Sequence, residues 1–233
     1  MSFVIPAPQQ AAIPVRGGPV AAFPVRRIYC VGRNYVEHAV EMGFTGREPP
    51  FFFLKPSDAI LVVADGDTGS MHYPSLTKSL HHEVELVMAI GKGGRDIPAD
   101  RAMEHVWGYG VGLDMTRRDL QGQMKKEGRP WCIGKAFDES APIGPLVSAA
   151  DCKITADTRI ELKVNGEIRQ QSSIGKLIWS MPEIIEHLSK AWMLQPGDLI
   201  FTGTPEGVAA VVAGDLLEAS VEGVGSLRLK IVE

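Results

Sequence analysis

Cysteine is scarce in this 233-residue chain, which carries only Cys30, Cys132 and Cys152. An odd number with no C-x-x-C spacing argues against a disulfide framework and fits a reducing, cytoplasmic setting, with the thiols expected as buried fillers. An excess of positive charge is missing too: the net charge of −4 gives no sign of a nucleic-acid partner, so a small molecule is the expected one. The opening MSFVIPAPQQAAIPVRGGPVAAFPVRR has neither a basic start nor an unbroken apolar run, and its prolines exclude a signal or membrane helix. Residues 1–27 read as an extended arm. Also absent are a fixed-period repeat, a low-complexity segment and any regular alternation of strand with helix. The last argues against a doubly wound parallel sheet or a TIM barrel.

What is present suffices for one domain, expected over residues 28–233, because a 45% hydrophobic fraction over this length can bury a substantial core. IYCVG and FFFLKP read as strands, joined by NYVEHAVEMG, where Tyr35, His38 and Glu41 recur at helical spacing. HHEVELVMAIG is a strand, PADRAMEHV a helix, and WGYGVGLDMT a glycine-rich strand ending at Asp114. RRDLQGQMKKEG is a surface helix closed by Gly128 and Pro130. In TRIELKVNGEIRQ, alternating Ile160, Leu162 and Val164 run into Asn165-Gly166, the pair a tight hairpin turn favours. Ser180 and Glu183 stand at capping-box spacing before the apolar stripe of Ile184, Leu188 and Ala191. Strands outnumber helices, so a β-rich α+β fold is expected.

The chemistry starts from two glutamates in an apolar strand. Side chains alternate along a strand, so Glu83 and Glu85 share one face and Val84 and Leu86 the other. Asp114, where a second strand meets a polar helix, can join them. Three carboxylates without a competing Cys or His cluster favour a hard cation such as Mg²⁺, Mn²⁺ or Ca²⁺. An E-x-E on the solvent face of a strand is the plainer alternative. His38 and Glu41, three apart on a helical turn, suit a general base and its orienting carboxylate, or an ordinary surface histidine. Arg118 and Gln121 follow Asp114 at i+4 and i+7 and share its face if a helix begins there. Lys135, set among small and apolar residues, either offsets the acidic cluster or is a solvated lysine. TGTPEG, residues 202–207, offers backbone N–H groups at Thr202 and Gly203 to a carboxylate, or is a plain turn.

Seven ordered stretches, GRNYVEHAVEMG, FFFLKPS, HHEVELVMAIG, LDMTRRDLQ, GKAFD, VNGEIRQ and GDLIFTGTPEGV, resemble the fumarylacetoacetate hydrolase family from about Ile28 to the C-terminus. The chain is most similar to its short acylpyruvate and fumarylpyruvate hydrolases. The resemblance implies a homodimeric mixed β-sandwich roll with a few short helices, and Mg²⁺ or Mn²⁺ on carboxylates matching Glu83, Glu85 and Asp114. It places a His-Glu pair on a mobile lid at His38 and Glu41, the active-site lysine at Lys135, and positions near substrate at Arg118 and Gln121. Thr202 matches a threonine that binds a substrate carboxylate. A fourth carboxylate ligand, carried by larger relatives in an extra domain, is expected to be replaced by water. The implied reaction is hydrolysis of a carbon–carbon bond in a 2,4-dioxo acid, fumarylpyruvate foremost, as in gentisate breakdown. Oxaloacetate decarboxylation or isomerisation is the rival, and an idle metal-binding protein a more distant one. A second substrate carboxylate would need a cation outside the metal shell, with Arg33, Arg47 and Lys55 as candidates.

Overall fold

The structure, a computed structural model, describes residues 3–17, 22–35 and 47–233. Of the helix expected over NYVEHAVEMG, Asn34 and Tyr35 are described and are not helical, Tyr35 bridging to Leu177; its remainder, its lid role and the pair His38 and Glu41 fall on residues 36–46, outside the described ones. Elsewhere the β-rich roll is as expected. An eight-stranded mixed sheet runs in the order Phe51–Lys55, Ile28–Gly32, Leu199–Phe201, Val84–Ile90, Val106–Leu113, Ala141–Ile143 and Ile60–Val62, with Val147–Ser148 pairing beside Val106–Leu113. A five-stranded sheet of Glu167–Ser173, Arg159–Val164, Leu216–Val221, Gly225–Val232 and Gly69–His72 packs against it.

The strand Val84–Ile90 sits in mid-sheet with every residue buried. Val84, Leu86, Met88 and Ile90 face a large core completed by Ile160, Leu162, Leu217 and Leu229 of the five-stranded sheet and by Ile184 and Leu188. Val87 and Ala89 face a smaller core of Ile28, Cys30, Ile143 and Phe201, which is closed by Ile13 and Phe23. Those last two belong to the antiparallel pair Ala12–Pro14 and Ala22–Pro24. Burial on both faces makes the strand a rigid carrier for the residues at its start.

Local signals fold as their chemistry directs. Asn165 and Gly166 both take positive φ, 52° and 82°, as the two-residue turn between Arg159–Val164 and Glu167–Ser173 requires. The helix Arg118–Glu127 ends on Gly128 in the left-handed region. The helix Met181–Ala191 starts with a capping box, the Ser180 N–H donating to Glu183 Oε2 at 2.9 Å. Two details differ from expectation. Ala99–His105 is a 3-10 helix. Of the thiols only Cys30 is buried, while Cys132 is exposed and Cys152 half-buried. No helix among the described residues is long and apolar enough to cross a membrane.

The alternate glycines of Val106–Leu113 leave space on the small-core face. A Cβ at Gly112 would lie 2.6 Å from Phe201 Cε1 and 2.8 Å from Val87 Cγ2. Gly112→Ala should therefore lower stability by about 1–3 kcal/mol, as overpacking of a filled core does. At Gly122, inside the helix Arg118–Glu127, a Cβ meets nothing within 4 Å. Gly122→Ala should raise stability by up to about 1 kcal/mol through helix propensity. Urea midpoints of the two variants should move in opposite directions.

Candidate metal centre and active site

The antiparallel register of Val84–Ile90 on Val106–Leu113 sets Val84 opposite Leu113 and Glu85 opposite Gly112. One step further the Asp114 N–H donates to the Glu83 carbonyl at 2.8 Å. Glu83, Glu85 and Asp114 thus meet at the open end of the strand pair, each offering an oxygen within 4.8 Å of the others. They are at most 5% exposed. A buried, uncompensated carboxylate costs several kcal/mol, so a cluster of three needs opposing charge and donors.

The chain supplies both. Lys135 Nζ lies between Glu83 Oε2 at 2.7 Å and Asp114 Oδ2 at 2.6 Å. Lys55 Nζ approaches Asp114 Oδ1 at 2.8 Å without the alignment of a hydrogen bond, leaving that buried oxygen short of a donor. Arg118 pairs with Glu83 Oε1 and donates to Gln121 Oε1 at 3.0 Å. The Gly203 N–H donates to Glu85 Oε2 at 2.7 Å. Neighbouring histidines add no charge: burial, and after it Arg118, pushes His81 down to about 4, and burial also lowers His82.

Burial, reinforced by Asp114 and Glu83, holds the Glu85 carboxyl well above its ordinary value. Burial works against a charged Lys135, but the carboxylates of Asp114 and Glu83 outweigh it and raise the ammonium above the usual lysine range. The donor set fits a divalent cation. All three ligands are hard carboxylate oxygens, and oxygens sharing one ion at ~2.0–2.6 Å can stand no more than about 5 Å apart.

One cavity beside the cluster gathers Arg33, Glu83, Glu85, Asp114, Arg118, Gln121 and Lys135. Asp114 does not open the helix, as one shared helical face would require. The segment Thr116–Arg117 intervenes, pairing with Leu80–His81, and the helix begins at Arg118. Lys55 is not in the cavity; it lies behind Asp114, 1% exposed, with Nζ on the carbonyls of Met115 and Lys135. Thr202 is fully buried and its hydroxyl donates to the Leu86 carbonyl at 2.9 Å, away from the cavity.

Gly203 acts through Glu85 and not on the cavity. With φ of +105° and a Cβ position 2.6 Å from Asn34 Cβ, it is a place only glycine fits. Thr204, Phe53 and Trp131 line the cavity and were not anticipated. Trp131 is one helical turn before Lys135, so i,i+4 spacing pointed to it, whereas no local feature separated Thr204 from Thr202. A larger groove of about 540 Å³ between Arg16, Arg159 and residues 221–225 holds none of the acidic triad.

The sequence model of the fumarylacetoacetate (FAA) hydrolase C-terminal family matches residues 27–232. The chain belongs to the fumarylacetoacetate hydrolase family. A crystal structure of fumarylpyruvate hydrolase from Pseudomonas aeruginosa, in complex with Mn²⁺ and pyruvate, is 54% identical to it, with a TM-score of 0.97 over 99% of both chains. The mitochondrial oxaloacetate tautomerase FAHD1 of Rattus norvegicus is 44% identical over 206 residues, 88% of this chain and 91% of that one. A 5-carboxymethyl-2-hydroxymuconate delta-isomerase from Mycobacterium smegmatis is 37% identical, with a TM-score of 0.79 over 91% of this chain and 80% of that one. This member of the fumarylacetoacetate hydrolase family is therefore an enzyme, with Glu83, Glu85 and Asp114 as its fit to a divalent metal.

Lys135 gives a test of that fit that is independent of turnover. Lys135→Met removes the ammonium between two buried carboxylates and should cost the metal-free protein about 3–5 kcal/mol. Saturating Mn²⁺ should recover more stability in this variant than in wild type, because the cation replaces the missing charge. Thermal unfolding in EDTA and in Mn²⁺ measures both, and equal stabilisation of the two proteins by Mn²⁺ would contradict the fit.

Proposed function

We propose that the enzyme hydrolyses a carbon–carbon bond of a 2,4-dioxo acid, with fumarylpyruvate as preferred substrate and fumarate and pyruvate as products. The observation that carries this reading is the 54% identity, along the whole chain, to a fumarylpyruvate hydrolase whose structure holds Mn²⁺ and pyruvate, one of the two products. Glu83, Glu85 and Asp114 would hold Mg²⁺ or Mn²⁺, which when bound supplies Lewis-acid polarisation of the substrate's oxygens.

The remaining work falls to side chains. His38, oriented by Glu41, takes a proton from the water whose oxygen bonds to C4. The C3–C4 bond then breaks with its electron pair going to the three-carbon fragment, which leaves as the enolate of pyruvate and is protonated at C3. Lys135, fully charged beside the cluster, stands where that negative charge develops. Arg118 and Gln121, joined at 3.0 Å, present a guanidinium and an amide as one unit to the substrate's oxygens. Thr202 and Gly203 hold the loop and Glu85 in place, and Thr204 lines the cavity while its hydroxyl donates to the Val84 carbonyl at 2.9 Å.

A second reading is conversion of oxaloacetate, by tautomerisation or decarboxylation, supported by the 44% identity to a protein named oxaloacetate tautomerase. It uses the same stabilised enolate but no attacking water. Turnover of fumarylpyruvate, acetylpyruvate and oxaloacetate, each with Mg²⁺ and Mn²⁺, separates the two. His38→Ala should reduce hydrolysis on the order of 10²–10⁴-fold while sparing oxaloacetate conversion relatively, and Asp114→Ala should abolish both. A hydrolase-to-oxaloacetate ratio that His38→Ala leaves unchanged would remove His38 as the hydrolytic base.

A further inference from the structure

We propose that Arg33 recognises the distal carboxylate of the substrate's acyl half, so that the site selects a dicarboxylic dioxo acid over a monocarboxylic one. The inference rests on the hydrolase reading and adds the chemical class of the group that the acyl subsite accepts. Three cations were candidates from sequence, and the structure separates them. Lys55 is sealed behind Asp114, outside the cavity. Arg47 also lies outside it, stacked 4.2 Å over the Trp179 ring and paired with Glu183. Arg33 lines it. The other cavity cations, Lys135 and Arg118, stand against the acidic triad, the end of the cavity assigned above to the three-carbon half of the substrate.

The setting of Arg33 is built. Gly32, opposite Phe51 in the sheet, leaves the Phe51 ring in space that any Cβ would fill, 2.0 Å from its Cζ. On that ring the Arg33 guanidinium stacks at 4.8 Å. Trp131 meets the same ring edge-on at 5.3 Å and, with Phe53, lines the cavity. Arg33 itself adopts φ of +56°, a left-handed conformation that costs a non-glycine residue stability unless its surroundings impose it.

Asn34 imposes it. Its amide donates to the Thr202 carbonyl at 2.8 Å and the Trp179 carbonyl at 3.0 Å, and its Oδ1 accepts the Trp179 N–H at 2.8 Å. Burial lowers the Arg33 pKa from the ordinary arginine value yet leaves a guanidinium charged at neutral pH, where desolvation strengthens its pairing with an anion. A planar trans-enoyl chain lying against Phe53 and Trp131 and ending in a carboxylate matches this wall and its cation.

The test compares substrates that differ by that carboxylate. In Arg33→Met the kcat/KM ratio of fumarylpyruvate to acetylpyruvate should fall about 10- to 100-fold, the loss of one hydrogen bond to a charged group. Arg33→Asn, whose side chain tolerates positive φ, should show the same fall with the backbone preserved. Arg33→Lys should restore part of it. Calorimetry on the Mn²⁺-loaded protein supplies a readout without turnover: wild type should bind fumarate more tightly than crotonate, which has a methyl in place of one carboxylate, and both Met and Asn variants should lose the preference. An unchanged substrate ratio with fumarylpyruvate still hydrolysed would overturn the role of Arg33 and leave the hydrolase reading standing. An Arg33-dependent preference for fumarate in an enzyme that hydrolyses neither dioxo acid would support the carboxylate subsite and remove the hydrolase reading. No fumarate preference in wild type would overturn the subsite outright.

Discussion

Three carboxylates buried within 4.8 Å of one another repel, and burial weakens the screening that bulk solvent would give them. Much of the surrounding architecture answers that constraint. Lys135, Lys55 and Arg118 bring three positive charges from three separate elements, and Gly203 adds a backbone donor. Each cation belongs to a segment that has a structural reason to be there. Lys55 ends a sheet strand, Lys135 ends the short helix Cys132–Lys135, and Arg118 begins the helix that follows the second acidic strand. The fold can accumulate negative charge at one point because several elements end there together.

The five-stranded sheet, remote in sequence from the acidic strand, also steadies the centre. Gln170, 1% exposed, accepts the Val84 N–H at 3.1 Å and pairs with His82 Nδ1 at 2.9 Å. Its amide nitrogen donates to Thr204 Oγ1 and to the Pro205 carbonyl, both at 2.8 Å. One side chain thus ties the start of the acidic strand to the loop that crosses it. Buried amides satisfied on every atom are rigid elements of a structure, since any displacement leaves a donor or acceptor unpaired.

On the proposed reading, the groups that would generate reactivity are separate from those that would select substrate. The acidic triad sits at the ends of the buried strands Val84–Ile90 and Val106–Leu113, while Arg33, Phe53 and Trp131 form the wall of the cavity. Relatives named for hydrolysis, tautomerisation and isomerisation share the fold at TM-scores or identities well above the level at which folds agree. On the proposed reading, a common enolate-stabilising centre with a variable wall would account for that range of names on one scaffold.

Local chemistry was legible in the sequence. Alternation along a strand put Glu83 and Glu85 on one face, Asn165-Gly166 specified a hairpin, and Ser180 with Glu183 started a helix, because each depends on backbone geometry over a few residues. The β-rich class followed from the same periodicities, and the ordered motifs pointed to the family. Tertiary structure decided whatever depended on register between distant strands. It brought Asp114 against Glu83, put Thr204 and not Thr202 in the cavity wall, and left Cys132 exposed. It also distinguished Lys55, Lys135, Arg33 and Arg47, four cations with no local feature to rank them, since a side chain's charge is written in the sequence but the dielectric and partners around it exist only once the chain has folded.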